Sequence, residues 1–153
     1  MPTGDPLSID DALTADHVKL DGQFKTLSEL IARRSPEGSP ALEALAYDLG
    51  FHMQWEEEVL FPTLLQTISR YSEHSIESLL IDHERIRSSL AELRTALAQG
   101  DFPACAKALD DLHDFLVGHN GEEENGAYSD ADRKLPPEER ERLVRLWNAR
   151  TTR

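Results

Sequence analysis

A chain of 153 residues, 39% apolar and 29% charged, is long enough for one domain with a sizeable core and short for two. Its net charge of −13 and pI of about 4.8 exclude nucleic-acid backbones and anionic lipid, which would repel it. The single cysteine, Cys105, leaves no internal disulfide, and no apolar run approaches the roughly 18 residues of a membrane span. Met1 to Asp10 has neither the basic nor the apolar segment of a secretory leader, so a cytoplasmic protein is expected.

Residues 1–7 contain Pro2, Gly4 and Pro6 and read as an irregular lead-in. Ser8 or Asp10 can cap a first helix, where Leu13, Leu20, Phe24, Leu27 and Ile31 recur at helical spacing. His17 falls on that stripe. The helix should end at Arg33 or Arg34, before a turn over Ser35–Gly38. Ser39 followed by Pro40 signals a second helix start. Leu42, Leu45 and Leu49 lead along one face into His52, Glu56 and Val59, and Pro62 should kink or end the helix near Phe61.

Ser72 opens a third helix carrying Ile76, Leu79, His83, Ile86, Leu90, Leu93 and Leu97, which ends at Gln99-Gly100. Asp101, with Pro103 just inside, starts a fourth, whose inner face holds Leu109, Leu112, Leu116, His119 and Glu123. Gly121 and Gly126 should fray or bend its end, since Gly costs about 1 kcal/mol relative to Ala inside a helix. Tyr128 to Pro137 reads as a linker. Glu138 to Arg150 reads as a short fifth helix docked through Leu143, Leu146 and Trp147. The expected fold is all-α: an up-down-up-down four-helix bundle over 8–128, then a linker and a short additional C-terminal helix over 129–153.

Two spacings stand out. His52 and Glu56 are four apart, as are His119 and Glu123, so each pair shares one helix face. His17 precedes His52 by 35 residues and His83 precedes His119 by 36. The chain therefore carries a His followed by a His-x3-Glu, twice at nearly the same period. Unpartnered in an apolar core, each neutral group would cost about 1–3 kcal/mol and each carboxylate more. A cation answers that demand. Four imidazoles and two carboxylates exceed what one tetrahedral zinc site uses, and calcium and magnesium prefer oxygen; imidazole with carboxylate suits iron, manganese or zinc, with iron the best fit on chemistry. One carboxylate from each repeat can bridge two ions about 3–4 Å apart. His74 and His113 lie on other faces and should miss the site. Glu57, Glu58, Glu122 and Glu124 read as solvated charge runs.

The segments Asp16-His17, His52-Met53-Gln54-Trp55-Glu56-Glu57-Glu58-Val59-Leu60-Phe61-Pro62, Asp82-His83-Glu84-Arg85-Ile86 and His119-Asn120-Gly121-Glu122-Glu123 resemble the hemerythrin-like, or HHE cation-binding, family. The resemblance covers roughly Ser8 to Tyr128. It implies a four-helix bundle around a non-haem centre of two iron ions. His17, His52, His83 and His119 would be terminal ligands, and Glu56 and Glu123 would bridge the irons with an oxo or hydroxo group between them. Oxygen-carrying members have a further His one turn before the third-helix His. Leu79 stands there, so one iron lacks a protein ligand. The second repeat has Asn125-Gly126-Ala127-Tyr128 in place of Leu-Phe-Pro, and Glu124 is an alternative to Glu123. Tyr47, Tyr71 and Tyr128 can supply the missing ligand only if the helices depart from ideal geometry.

The implied function is binding of, or reaction with, O2, peroxide or nitric oxide, with catalysis an open question. The alternatives are an iron store or donor, and a metal-stabilised sensing or interaction module without catalysis. No motif for a protein partner is present.

Overall fold

The structure is a computed structural model that describes residues 8–150. The irregular lead-in expected over 1–7 lies outside the described residues. Seven α-helices are described: α1 (Ile9–Ala32), α2 (Gly38–Trp55), α3 (Phe61–Thr67), α4 (Glu73–Ala98), α5 (Phe102–Glu123), α6 (Ser129–Lys134) and α7 (Pro137–Arg150). Two π-helical turns, Glu56–Leu60 and Glu124–Tyr128, join α2 to α3 and α5 to α6. No strand occurs among the described residues, and none of the described helices is long and apolar enough to cross a membrane.

Local chemistry sets most boundaries. Ser8 Oγ accepts from Asp11 N, Ser72 Oγ from Ser75 N, and Asp101 from Ala104 N, each satisfying a free donor of a first turn. Gly100, at φ 70, takes the left-handed conformation that follows the end of α4. Ser39 does not cap α2. The helix starts earlier, at Gly38, because the chain turns sharply at Arg34 (φ 54) and Ser35 Oγ accepts from Glu37 N.

The four long helices surround one interior: α1 packs on α2 and α5, and α4 packs on α5 and α2. Inward side chains form two apolar clusters. One holds Leu27, Leu45, Ile86, Leu93 and Leu112; the other holds Ile9, Leu13, Leu60, Leu64 and Leu79. Each fully buried aliphatic side chain contributes about 1.5–3 kcal/mol. Between the clusters, on every long helix, lies a polar layer: His17, His52 with Glu56, His83, and His119 with Glu123.

Three expectations change here. Pro62 does not end the helix, because a wider π turn precedes it. Phe61 N–H bonds Glu56 O, five residues back, and Pro62 falls in the first turn of α3, where a missing N–H costs nothing. The end of α5 is not frayed, and the stretch read as a linker is mostly helix. The helix runs past Gly121 and Gly126 into α6, because Ala127, Tyr128 and Ala131 are buried and their packing outweighs the glycine cost. It stops where Leu135 turns extended before Pro136. On α6, Asp132 accepts from Ile9 N and Asp10 N at 2.9 and 3.0 Å, tying the helix to the start of α1. α7 packs on α1, with Leu143 and Trp147 buried.

Candidate metal centre

The structure brings together all six side chains singled out by the repeat. Glu56, Glu123 and His83 are fully buried; His52, His119 and His17 nearly so. His17 Nε2 and His119 Nε2 each lie 3.3 Å from Glu123 Oε1. His83 Nε2 lies 3.3 Å from Glu56 Oε1 and 3.6 Å from Glu123 Oε2, and His52 Nε2 lies 3.5 Å from Glu56 Oε2. These donors fall into two groups that share Glu123: His17, His52, Glu56 and Glu123, and His83, His119 and Glu123. Within each group the donor atoms lie within 4.8 Å of one another. As expected, His74 is exposed and His113 turns away to meet Asp21.

All four histidines are held from behind by a carboxylate on Nδ1. His52 meets Asp16 at 2.7 Å, His119 meets Asp82 at 2.9 Å, His83 meets Glu57 at 2.6 Å and His17 meets Glu124 at 2.8 Å. A carboxylate on Nδ1 fixes the tautomer and leaves the Nε2 lone pair directed at the centre. The acidic runs therefore divide. Glu58 and Glu122 face water, whereas Glu57 and Glu124 turn toward the histidines, which corrects the reading of all four as solvated. Glu124 meets the Nδ1 side of His17, while Glu123 faces the interior, so Glu123 is the one that stands with the converging donors. The signal was in the sequence. An Asp precedes His17 and His83, and a second Glu follows Glu56 and Glu123.

Both carboxylates at the heart of the layer sit where α-helix gives way to a π turn. A π turn adds a residue per turn, which brings residue i+5 over residue i. Tyr128, five after Glu123, is thereby carried inward and is fully buried. Its hydroxyl lies 2.5 Å from Glu56 Oε2, 3.0 Å from His52 Nε2, 3.1 Å from His17 Nε2 and 3.2 Å from Glu123 Oε1. Of the three tyrosines named from the sequence, Tyr47 is exposed and Tyr71 bonds Asp130 outside the layer.

The family model for the hemerythrin HHE cation-binding domain matches residues 8–131. The chain belongs to the hemerythrin HHE cation-binding family. Searches of curated proteins and of solved structures found no match. The match spans the whole polar layer, including Tyr128, so this hemerythrin-type chain is a metal-binding domain.

The electrostatics of the hemerythrin-type site favour a cation. Burial opposes charge on His52, but Glu56, Asp16 and Glu123 outweigh it and raise its pKa to about 10. His83 is raised to about 10 against its own burial by Glu123 and Glu56, and His119 is raised by Glu123 and Asp82. Burial would raise the Glu123 carboxyl, yet His119, His17 and His83 hold it well below the usual range. Burial, and then the charges of Glu123 and Glu56, keep the Tyr128 hydroxyl protonated well above the ordinary tyrosine range. Positive charge is what this layer stabilises.

The two sides of the layer differ in cover. On the His52 side, Trp147 of α7 stands edge-on to the imidazole at 5.5 Å and to Trp55 at 5.1 Å, and Arg150 pairs with Asp16 at 3.4 Å. On the His83 side, Leu79 lies one turn before His83 and also lines a cavity of about 600 Å³ with Tyr71, His74, Ala127 and Lys134. The part played by α7 was legible in Trp147 but not in Arg150.

Proposed function

We propose that this hemerythrin-type domain holds two iron ions and acts on a small oxidant: O2, peroxide or nitric oxide. His17 and His52 would hold one ion, His83 and His119 the other, and Glu56 and Glu123 would bridge them. One observation carries the reading. Glu56 Oε1, His83 Nε2 and Glu123 Oε2 are buried side by side, with His83 Nε2 3.3 and 3.6 Å from the two oxygens and no well-directed hydrogen bond made by any of the three. Polar atoms left in this way cost about 1–3 kcal/mol each, and more for charged groups, unless something binds them. Every Nδ1 is already engaged, so the donors left over all face inward.

Imidazole with carboxylate suits iron, and the shared carboxylates favour two ions over one. Iron, when bound, supplies the electrons for redox chemistry with a small oxidant. The chain supplies the rest. Asp16, Asp82, Glu57 and Glu124 orient the imidazoles. Leu13, Leu60 and Phe61 exclude bulk water. The cavity behind Leu79 offers a small molecule an approach, with Lys134 and the Tyr71 hydroxyl along its wall. The same reading takes the four long helices as an up-down-up-down bundle, supported by their short connections and their neighbour relations.

Metal analysis of protein from iron-supplemented cells, with the visible spectrum taken before and after peroxide, tests this. Two irons per chain and loss of added peroxide are expected, the loss disappearing in His52→Ala. Zinc alone, or one metal per chain, would overturn the reading.

A further inference from the structure

The two halves of the site repeat at an offset of 66 or 67 residues: His17 and His83, His52 and His119, Glu56 and Glu123. The residue before the first His of each repeat (Asp16, Asp82) and the one after each inner Glu (Glu57, Glu124) repeat too. Leu79 is part of the same pattern, because Leu13 is its counterpart one turn before His17. The five-residue step through each π turn ends on Phe61 in one half and Tyr128 in the other. Phe61 stacks on His83 at 5.9 Å, as Tyr128 lies against His17 at 5.5 Å. At that paired position, one side presents a hydroxyl to the centre and the other presents a bare ring.

We propose that Tyr128 is a seventh ligand, binding through its phenolate oxygen the ion held by His17 and His52. The open position then belongs to the ion held by His83 and His119. This rests on the two-iron reading above. The four groups within reach of the Tyr128 hydroxyl, His17, His52, Glu56 and Glu123, make up the whole of one donor group, and of the other only the shared Glu123 is among them. Three of its separations, to His52, His17 and Glu123, are 3.0–3.2 Å, while the fourth, 2.5 Å to Glu56 Oε2, is a short hydrogen bond donated by the phenol. Neighbouring ligands on an octahedral ion with bonds of ~2.1 Å stand roughly 3 Å apart, so the oxygen sits at ligand spacing from those three. On binding, the phenol O–H bond breaks, its proton passes to solvent water, and the freed oxygen lone pair goes to the metal. The cover of the layer agrees. Trp147 and Arg150 close the side that Tyr128 completes, and the cavity behind Leu79 lies on the side it leaves open.

The test is the ferric, iron-loaded protein. A visible phenolate-to-iron charge-transfer band is expected, with tyrosinate ring vibrations enhanced under excitation in that band. Ring-deuterated tyrosine should shift those vibrations. The double variant Tyr47→Phe/Tyr71→Phe should keep the band, which assigns it to Tyr128 while leaving the converging donors unchanged. Tyr128→Phe should abolish it while two irons remain bound. Two irons without the band, or a band that survives Tyr128→Phe or is lost in the double variant, would overturn the tyrosine's role alone. Iron well short of two per wild-type chain would overturn the two-ion reading itself.

Discussion

His83 Nδ1 lies 2.6 Å from Glu57 Oε2, and Arg87 binds the same carboxylate at 2.9 Å. Glu57 thus spans the gap between the end of α2 and α4, held on one side by a buried ring and on the other by a half-exposed guanidinium. Glu57→Gln keeps the size but weakens the acceptor that orients His83. Loss of such an orienting carboxylate typically costs 10- to 100-fold in metal affinity. Competition against a chelator of known affinity should register that loss, while Glu58→Gln, on the exposed face, should leave affinity unchanged. Equal affinity for wild type and Glu57→Gln would remove Glu57 from the site.

Metal removal should destabilise the fold. A ligand present at 1,000 times its Kd, and bound only to the native state, adds about 4 kcal/mol. For a domain of this size each kcal/mol moves Tm by about 2–4 °C. Thermal unfolding followed by circular dichroism should therefore show a Tm higher by roughly 10 °C with metal than after chelation. Coincident melting curves would mean that the layer is stable without an ion.

Tyr71 supplies an alkaline limit. Burial, and then the neighbouring Asp130 carboxylate, raise its pKa above the ordinary value. The folded chain therefore keeps a proton that the unfolded chain releases. This contribution to stability is intact below about pH 10, the unfolded tyrosine value, and is lost as pH rises above it. Denaturant unfolding at stepped pH should give a steeper alkaline decline for wild type than for Tyr71→Phe. Parallel declines would count against the shift.

Asp132→Ala tests the tie between α6 and α1. The carboxylate accepts from two first-turn donors of α1, Ile9 N and Asp10 N. Removing a cap of this kind costs about 0.5–2 kcal/mol. Urea unfolding should show that loss, and hydrogen exchange should quicken in the first turn of α1 while the rest of the helix keeps its protection. An unchanged midpoint would show the contact to be incidental.

The helices and the six converging side chains were legible because both depend on which face a residue occupies. Periodicity reports that directly: His17 on the Leu13–Leu20 stripe, His83 on the Leu79–Ile86 stripe. What periodicity does not report is reach. Glu57 and Glu124 sit off the inner face yet extend sideways to a ring on the next helix. It also assumes 3.6 residues per turn. Five residues after Glu123, Tyr128 falls well off the inner face of an α-helix, and only the π turn brings it over. The continuation into α6 is hidden from the sequence for a different reason. Gly126 and the polar run after it argue locally for a break, and the opposing term is tertiary: burial of Tyr128 and Ala131, and the grip of Asp132 on α1.

The polar layer cuts the apolar interior into two separate clusters, one above it and one below. In cooperative terms it is a seam, and ions bound there would be its rivets. Were ions bound there, a disturbance at Leu93 should be felt at Leu64, because both clusters would be anchored to one rigid cross-link. Without them, the halves would be joined by the helix backbones and the polar contacts of the layer alone. Occupancy of the site would then decide whether the domain melts as one body or as two.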